Sequence, residues 1–183
     1  MIIVSAPSGA GKTTLIKYIL NNLPELEFSV SATSRKMRGG EAHGRDYYFL
    51  SPEEFRAKLA AGEFVEWEEV YQDQFYGTLK SELERIWEKD HFVLFDVDVK
   101  GGINLKKIFG TQALSVFIMP PTVEELRRRL ESRQTETPES IAKRVARAEF
   151  EIELSEHFDR VVVNEIVEVA QKELFEHISR FLR

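Results

Sequence analysis

The sequence predicts an α/β fold around a mostly parallel sheet, and three observations carry the prediction. Short apolar runs alternate with helical patterns along most of the chain. The first run, Met1 to Val4, feeds straight into a loop of small residues. A later one, "HFVLFDVD", stays apolar almost throughout and ends in aspartates. Strands covered by helices on both faces read as such continuous runs, and strands separated by helices demand parallel crossovers. Two stretches break the alternation: residues 33–78 read as antiparallel material, and 122–150 as purely helical and arginine-rich. The expected organisation is one domain with a core of 1–32, 79–121 and 151–183, a β-rich insert of 33–78 and a helical lid of 122–150.

Each element has a local cause. Residues 2–5 form the first strand and 12–22 an amphipathic helix, followed by a strand over 28–32 and a Gly-rich basic loop from Arg35 to Arg45. A strand over 46–50 precedes Ser51-Pro52-Glu53-Glu54, a capping box with proline at the first helical position, and Gly62 ends that helix. A strand over 64–71 turns at Gln72-Asp73-Gln74 into a further short strand, and a helix follows near 79–89. After the run ending in Asp96 and Asp98 come a helix over 101–109 and a strand over 113–119. Thr122 with Glu125, and Thr137-Pro138, cap the next two helices. The strand "RVVVN" and a helix over 166–182 complete the pattern.

At 183 residues the chain has single-domain length with room for a core and small insertions. No apolar run approaches the ~20 residues of a membrane-spanning helix. The N-terminus shows neither a charged lead nor a cleavage site, so no signal peptide is expected. The lack of cysteine excludes disulfides and thiolate metal sites and fits a cytoplasmic protein. His43, His91, His157 and His177 have no ligand-like spacing and read as surface or capping residues. A net charge of -6 argues against a general nucleic-acid surface, so any bound anion is held by a few placed cations.

The stretch "APSGAGKTT" has the chemistry of such a site. Gly9 and Gly11 allow positive φ and a close approach of backbone N–H groups to an anion. The helix starting near Lys12 aims its amides at the same place, Lys12 reaches the β/γ-phosphates, and the Thr13 hydroxyl is a magnesium ligand. The strict pattern G-x-x-x-x-G-K-[ST] fails only at Ala6, a position that asks for a compact residue. The plainer alternative is a glycine turn that binds nothing, but such a turn has no use for Lys-Thr-Thr. Asp96 and Asp98 end a buried strand downstream; they either cap it, serve the magnesium directly or through water, or face the acceptor. In "SRKMR", Arg35 and Arg38 offer two guanidinium forks to a terminal phosphate, or form a solvated basic turn. Tyr47 and Tyr76 carry hydroxyls suited to the same phosphate and fit core packing equally well.

Taken in order, "SAPSGAGKTT", "FSVSATSRKMRGGEAHGRDYYF", "EFVEWEEVYQDQFYGT", "VLFDVDVKGG", "LRRRLESRQTETPESIAKR" and "VVVNE" resemble the guanylate kinase family nearly end to end. The resemblance implies a P-loop NTPase-type parallel sheet core with a β-rich nucleotide-binding insert and a helical lid. It implies Mg2+-dependent transfer of the ATP γ-phosphoryl to GMP or dGMP, in purine metabolism. On the ATP side it implies Ser8, Gly9, Ala10, Gly11, Lys12, Thr13 and Thr14, with Arg129, Arg133 and Asn164. On the GMP side it implies Ser31, Arg35, Arg38, Tyr47, Glu66, Tyr76, Thr78, Asp96 and Asp98. Glu66, from composition a solvated acid among several, becomes the acceptor for the N1/N2 donors of guanine. Lys12, Arg38, Arg133 and Arg144 become the catalytic cations, and Thr13 the magnesium ligand, with Asp96 reaching the metal through water. The bland alternative for Arg129, Arg133 and Arg144 is helix-surface ion pairing, since 122–150 holds seven Lys/Arg against six acids; for Asn164 it is a strand-end cap. Lys100 stands where the family usually has glutamine, and Gln134 where glycine is common. The expected partners are ATP and GMP, with neither nucleic acid nor membrane, in a monomer or homodimer.

Overall fold

Ile2, Ile3 and Val4 are fully buried, as a strand inside a two-faced sheet requires, and with Ser5 they form β1 (Ile2–Ser5) of the computed structural model. The structure describes residues 1–132 and 137–183. From β1 the chain runs through α1 (Lys12–Asn22), β2 (Leu26–Phe28), β3 (Ala32–Thr33), β4 (Tyr48–Phe49) and α2 (Pro52–Ala60). Then come β5 (Phe64–Tyr71), β6 (Gln74–Leu79), α3 (Lys80–Trp87), β7 (Phe92–Asp96) and α4 (Val99–Phe109). The last elements are β8 (Leu114–Met119), α5 (Val123–Glu131), α6 (Pro138–Glu153), β9 (Arg160–Val163) and α7 (Val167–Leu182). A five-stranded sheet has the order β2-β7-β1-β8-β9 and a four-stranded sheet the order β4-β3-β6-β5. The α/β fold with a parallel core sheet is therefore as expected.

The chain forms two compact units, one of Met1–Pro24 with Asp96–Arg183 and one of Glu25–Phe95. In the first, β1 pairs with β8 and β8 with β9, all parallel. Val99, Phe117 and Phe158 pack together there, the two rings edge to face at 5.4 Å. The α5–α6 pair has its own apolar seam of Leu126, Leu130, Ile141, Val145 and Ala148. In the second unit β2 and β7 are parallel, while β6 runs antiparallel to both β3 and β5. Phe55, on α2, stacks between Phe64 and Phe75. Among the described residues no helix is long and apolar enough to cross a membrane.

The caps read from the sequence are present. Ser51 and Glu54 form the reciprocal capping box, Thr122 accepts from Glu125 N, and Thr137 accepts from Ser140 N. Three boundary differences have a clear physical cause. The strand expected over 28–32 is two strands in two sheets: Ser29 N still donates to Leu94 O, but Val30 N donates to the carboxylate of Glu82 instead of to a strand. The strand expected over 46–50 shrinks to Tyr48–Phe49, because Asp46 accepts from Ala42 N and Gly44 N donates to Tyr47 O, tying the preceding residues into turns. The helix expected over 101–109 begins at Val99, since the Asp98 carboxylate accepts from Gly101 N and caps it.

Candidate active site

The loop after β1 is shaped by its two glycines. Gly9 and Gly11 have φ of +95° and +93°, a region that side chains disfavour. At Gly11 a Cβ would also overlap the Nδ2 of Asn164. Gly11 is the N-cap of α1, and no side chain caps this helix; nor does its first turn hold an acid. The N-terminal amides thus keep their anion-binding capacity. Lys12 Nζ donates to Val97 O at 2.9 Å and forms an ion pair with Asp96. The loop lysine and the β7 carboxylate, far apart in sequence, are therefore together. Ser8, Thr13 and Thr14 are exposed, and Ala10 is buried.

Asn164 does more in this loop than strand-end capping would. It is 2% exposed, its Nδ2 donates to Ala10 O at 2.7 Å, and its own carbonyl accepts from Arg129 Nη2 at 3.0 Å. Its Oδ1 is buried with no partner, which leaves an acceptor beside the phosphate loop. Arg129 also donates to Glu125, which pairs with Arg128 as well and is held at about 2 by those two guanidinium groups. Arg144 Nη1 donates to Ser8 Oγ at 3.0 Å, so this α6 arginine reaches the loop itself. Arg133 and Gln134 lie outside the described residues.

Asp98 divides its carboxylate between the α4 cap and Arg147, whose Nη2 is 3.3 Å from Oδ2. Arg147 Nε donates to Glu151, which is buried. Burial pushes the Glu151 carboxyl up and Arg147 opposes it. Neither Arg147 nor Glu151 was singled out from the sequence: on a charged helix an i,i+4 Arg–Glu pair looks like any solvated pair.

The second unit arranges the remaining predicted residues. Glu66 on β5 sits directly opposite Thr78 on β6, and Thr78 Oγ1 donates to Glu66 Oε1 at 2.9 Å. Thr78 is buried, so one oxygen of the carboxylate is oriented from below. Ser31 lends its carbonyl to Tyr48 N. The Arg35 guanidinium lies 5.3 Å from the Tyr47 ring centre, and Tyr47 and Tyr76 meet edge to face at 6.0 Å. Glu41, absent from the sequence-derived set, organises both arginines. It takes both Arg35 Nη groups, at 3.0 and 2.8 Å, and accepts from Arg38 N at 2.7 Å. Those bonds hold its carboxyl at about 2. The Arg38 side chain is exposed. An acid three residues after Arg38 was the available signal.

A parallel sheet whose first strand opens into a positive-φ glycine turn, a lysine and an uncapped helix defines a P-loop nucleotide-binding protein. Within that class the chain belongs to the guanylate kinase family, whose model matches residues 1–181. It is 53% identical to the guanylate kinase of Bacteroides thetaiotaomicron over 182 residues, covering 100% of this chain and 89% of the relative. It is 51% identical to that of Salinibacter ruber, over 100% of this chain and 96% of the relative. Among solved structures, guanylate kinase from Anaplasma phagocytophilum superposes with a TM-score of 0.79 at 33% identity, over 98% of this chain and 84% of that one.

Proposed function

We infer that the protein is an ATP-dependent GMP kinase, giving GDP and ADP and accepting dGMP as well. The observation that carries this is a guanylate kinase match running from residue 1 to 181 with the loop lysine and the Glu66–Thr78 pair both in place. Lys12 and the loop amides hold the donor phosphates, with Ser8, Thr14, Arg129 and Asn164 completing the ATP side. Arg38, Arg133 and Arg144 offset the charge that spreads over the moving phosphoryl group, the main work of catalysis in this chemistry. No protein general base is required, because the acceptor phosphate oxygen is already anionic. Glu66, Ser31 and Thr78 select guanine: adenine has an acceptor at N1 and would leave the carboxylate unpaired. Arg35, Arg38, Tyr47 and Tyr76 take the GMP phosphate, and Asp96 and Asp98 serve the acceptor or the metal shell.

The donor set suits magnesium, since the Thr13 hydroxyl would hold it directly and the Asp96 carboxylate through water, both hard oxygen groups of the kind it prefers. Bound with ATP, magnesium supplies neutralisation of the phosphate oxygens. Lys12 then exchanges Asp96 for phosphate, which frees that carboxylate. We read residues 33–78 as the GMP-binding insert and 122–150 as a lid that excludes water from ATP. The protein works in the cytoplasm as a monomer or homodimer, without nucleic acid or membrane.

The test is magnesium-dependent ADP release from ATP with GMP, AMP, CMP, UMP or no acceptor, beside Lys12→Ala. Release with GMP alone, lost in the variant, is expected. A folded protein that binds GMP yet releases no ADP with any acceptor would overturn the kinase reading.

A further inference from the structure

Glu151 has no part in the reaction as read above, yet it is buried on α6, with 8% of its surface exposed. A carboxylate removed from water stays charged only when paired. Its partner lies one turn back on the same helix: Arg147 Nε donates to Glu151 Oε1 at 2.6 Å. Ordinary pairs at this spacing lie on the solvent face with both ends wet. Here one end is sunk into the packing and selects the rotamer of the other. The guanidinium is planar, so fixing Nε aims the remaining donors. Nη2 is thereby brought to Asp98 Oδ2, at 3.3 Å.

The rest of Asp98 belongs to the scaffold. Its Oδ1 accepts from Gly101 N at 2.8 Å, and its carbonyl accepts from Ser5 Oγ at 3.2 Å and Gly102 N at 2.9 Å. Oδ2, bonded to Arg147 Nη2, is the oxygen with acceptor capacity to spare for a ligand. Three residues earlier on α6, Arg144 donates to Ser8 in the phosphate loop. One helix face thus carries two arginines directed at two different loops.

We propose that Arg147, set by the buried Glu151, is a positioning residue of the reaction, holding Asp98 Oδ2 in the orientation from which Asp98 serves the acceptor nucleotide. The assignment rests on the reading of Asp98 as an acceptor-side group. Arg144 acts at the donor loop and Arg147 through Asp98, so the single helix α6 orients both sides of the transfer.

Steady-state ADP release, varied in GMP and separately in ATP, tests this on the full chain. The variants are Asp98→Asn, Arg147→Ala, Arg147→Lys, Glu151→Gln and the Arg147→Ala/Asp98→Asn double, each with a melting curve. Arg147→Ala is expected to raise KM for GMP about fivefold, with a smaller change for ATP, the size typical of removing one partner of a contacting pair. Arg147→Lys recovers part of the loss, because lysine keeps the charge without the fork. Glu151→Gln moves KM in the same direction, and Arg147→Ala adds nothing in the Asp98→Asn background. Unchanged KM for GMP in Arg147→Ala, beside a raised KM in Asp98→Asn, would overturn the proposal and leave the reading of Asp98 standing. Additive losses in the double variant would overturn it too, as would an effect confined to the melting temperature. If Asp98→Asn binds GMP like the parent, the reading of Asp98 itself falls, and the proposal with it. Should Arg147→Ala not fold, Arg147→Lys and Glu151→Gln carry the same comparison.

Discussion

At the scale of single residues, the phosphate loop leaves its glycines little freedom. Gly11 is constrained twice, by a φ of +93° and by the Asn164 amide that a Cβ would overlap. Gly11→Ala is expected to lose ~1–3 kcal/mol of stability from the backbone strain alone, read by denaturant unfolding, and to weaken ATP binding. Lys12→Ala should keep the fold and lose about a hundredfold or more in kcat, the scale of one preorganised charge; a near-normal rate would remove Lys12 from the mechanism. Glu66 reads as a recognition group through the family resemblance, and Thr78, opposite it, orients one of its oxygens. Glu66→Gln should cost ten- to hundredfold in kcat/KM for GMP, corresponding to ~1.5–3 kcal/mol for a hydrogen bond to a charged acceptor. A variant that keeps its preference for GMP over AMP would relocate guanine recognition elsewhere.

At the scale of elements, helix starts capped by Ser or Thr were the most legible features, and the limits of strands that change sheet the least. Ser51, Thr122 and Thr137 act within three residues of themselves, so their caps can be read from adjacent letters. Ser51→Ala is expected to lower stability by ~1 kcal/mol in an unfolding titration while leaving the kinetics unchanged. Strand limits depend on partners far away in the chain. The break after Ser29 is set by Glu82, 52 residues from Val30, and no local pattern announces it. The same carboxylate accepts from Tyr48 Oη at 2.8 Å and pairs with Arg85. A buried acid that stitches three segments together looks, in the sequence, like one more helix-surface glutamate. Asp98 is a similar case: the sequence left it between a strand-end cap and a ligand group, and the structure makes it the cap that starts α4.

At the scale of the whole molecule, acid stability follows from carboxylates held in their charged form. Glu27 is the clearest. Burial raises its pKa, but hydrogen bonds from Arg85, Lys89 and His91 overcome that and hold it at about 2. A folded-state pKa below the unfolded value of ~4.3 means the contribution is present above that value and lost as pH falls toward 2. The melting temperature should therefore decline as pH falls below about 4.5, and Glu27→Gln should flatten part of that limb while lowering stability at neutral pH. An unaltered acid limb in the variant would show that other groups govern it. Magnesium with ATP, binding the folded state alone, should raise the melting temperature in a concentration-dependent way.

The sequence by itself determined the α/β class, the glycine loop with its lysine, the helix caps and, through an ordered set of motifs, the guanylate kinase family. These are all written in neighbouring residues: apolar runs set burial, and glycines and cap side chains act on the backbone beside them. Tertiary structure decided what those residues touch. It set Lys12 on Asp96 and Val97, Asn164 against Ala10, Glu41 between Arg35 and Arg38, and Arg147 on Asp98. A charged or amide side chain has the same letter whether it is solvated, capping or holding a loop. Which of these it does depends on burial and on partners brought near only when the sheet and helices pack.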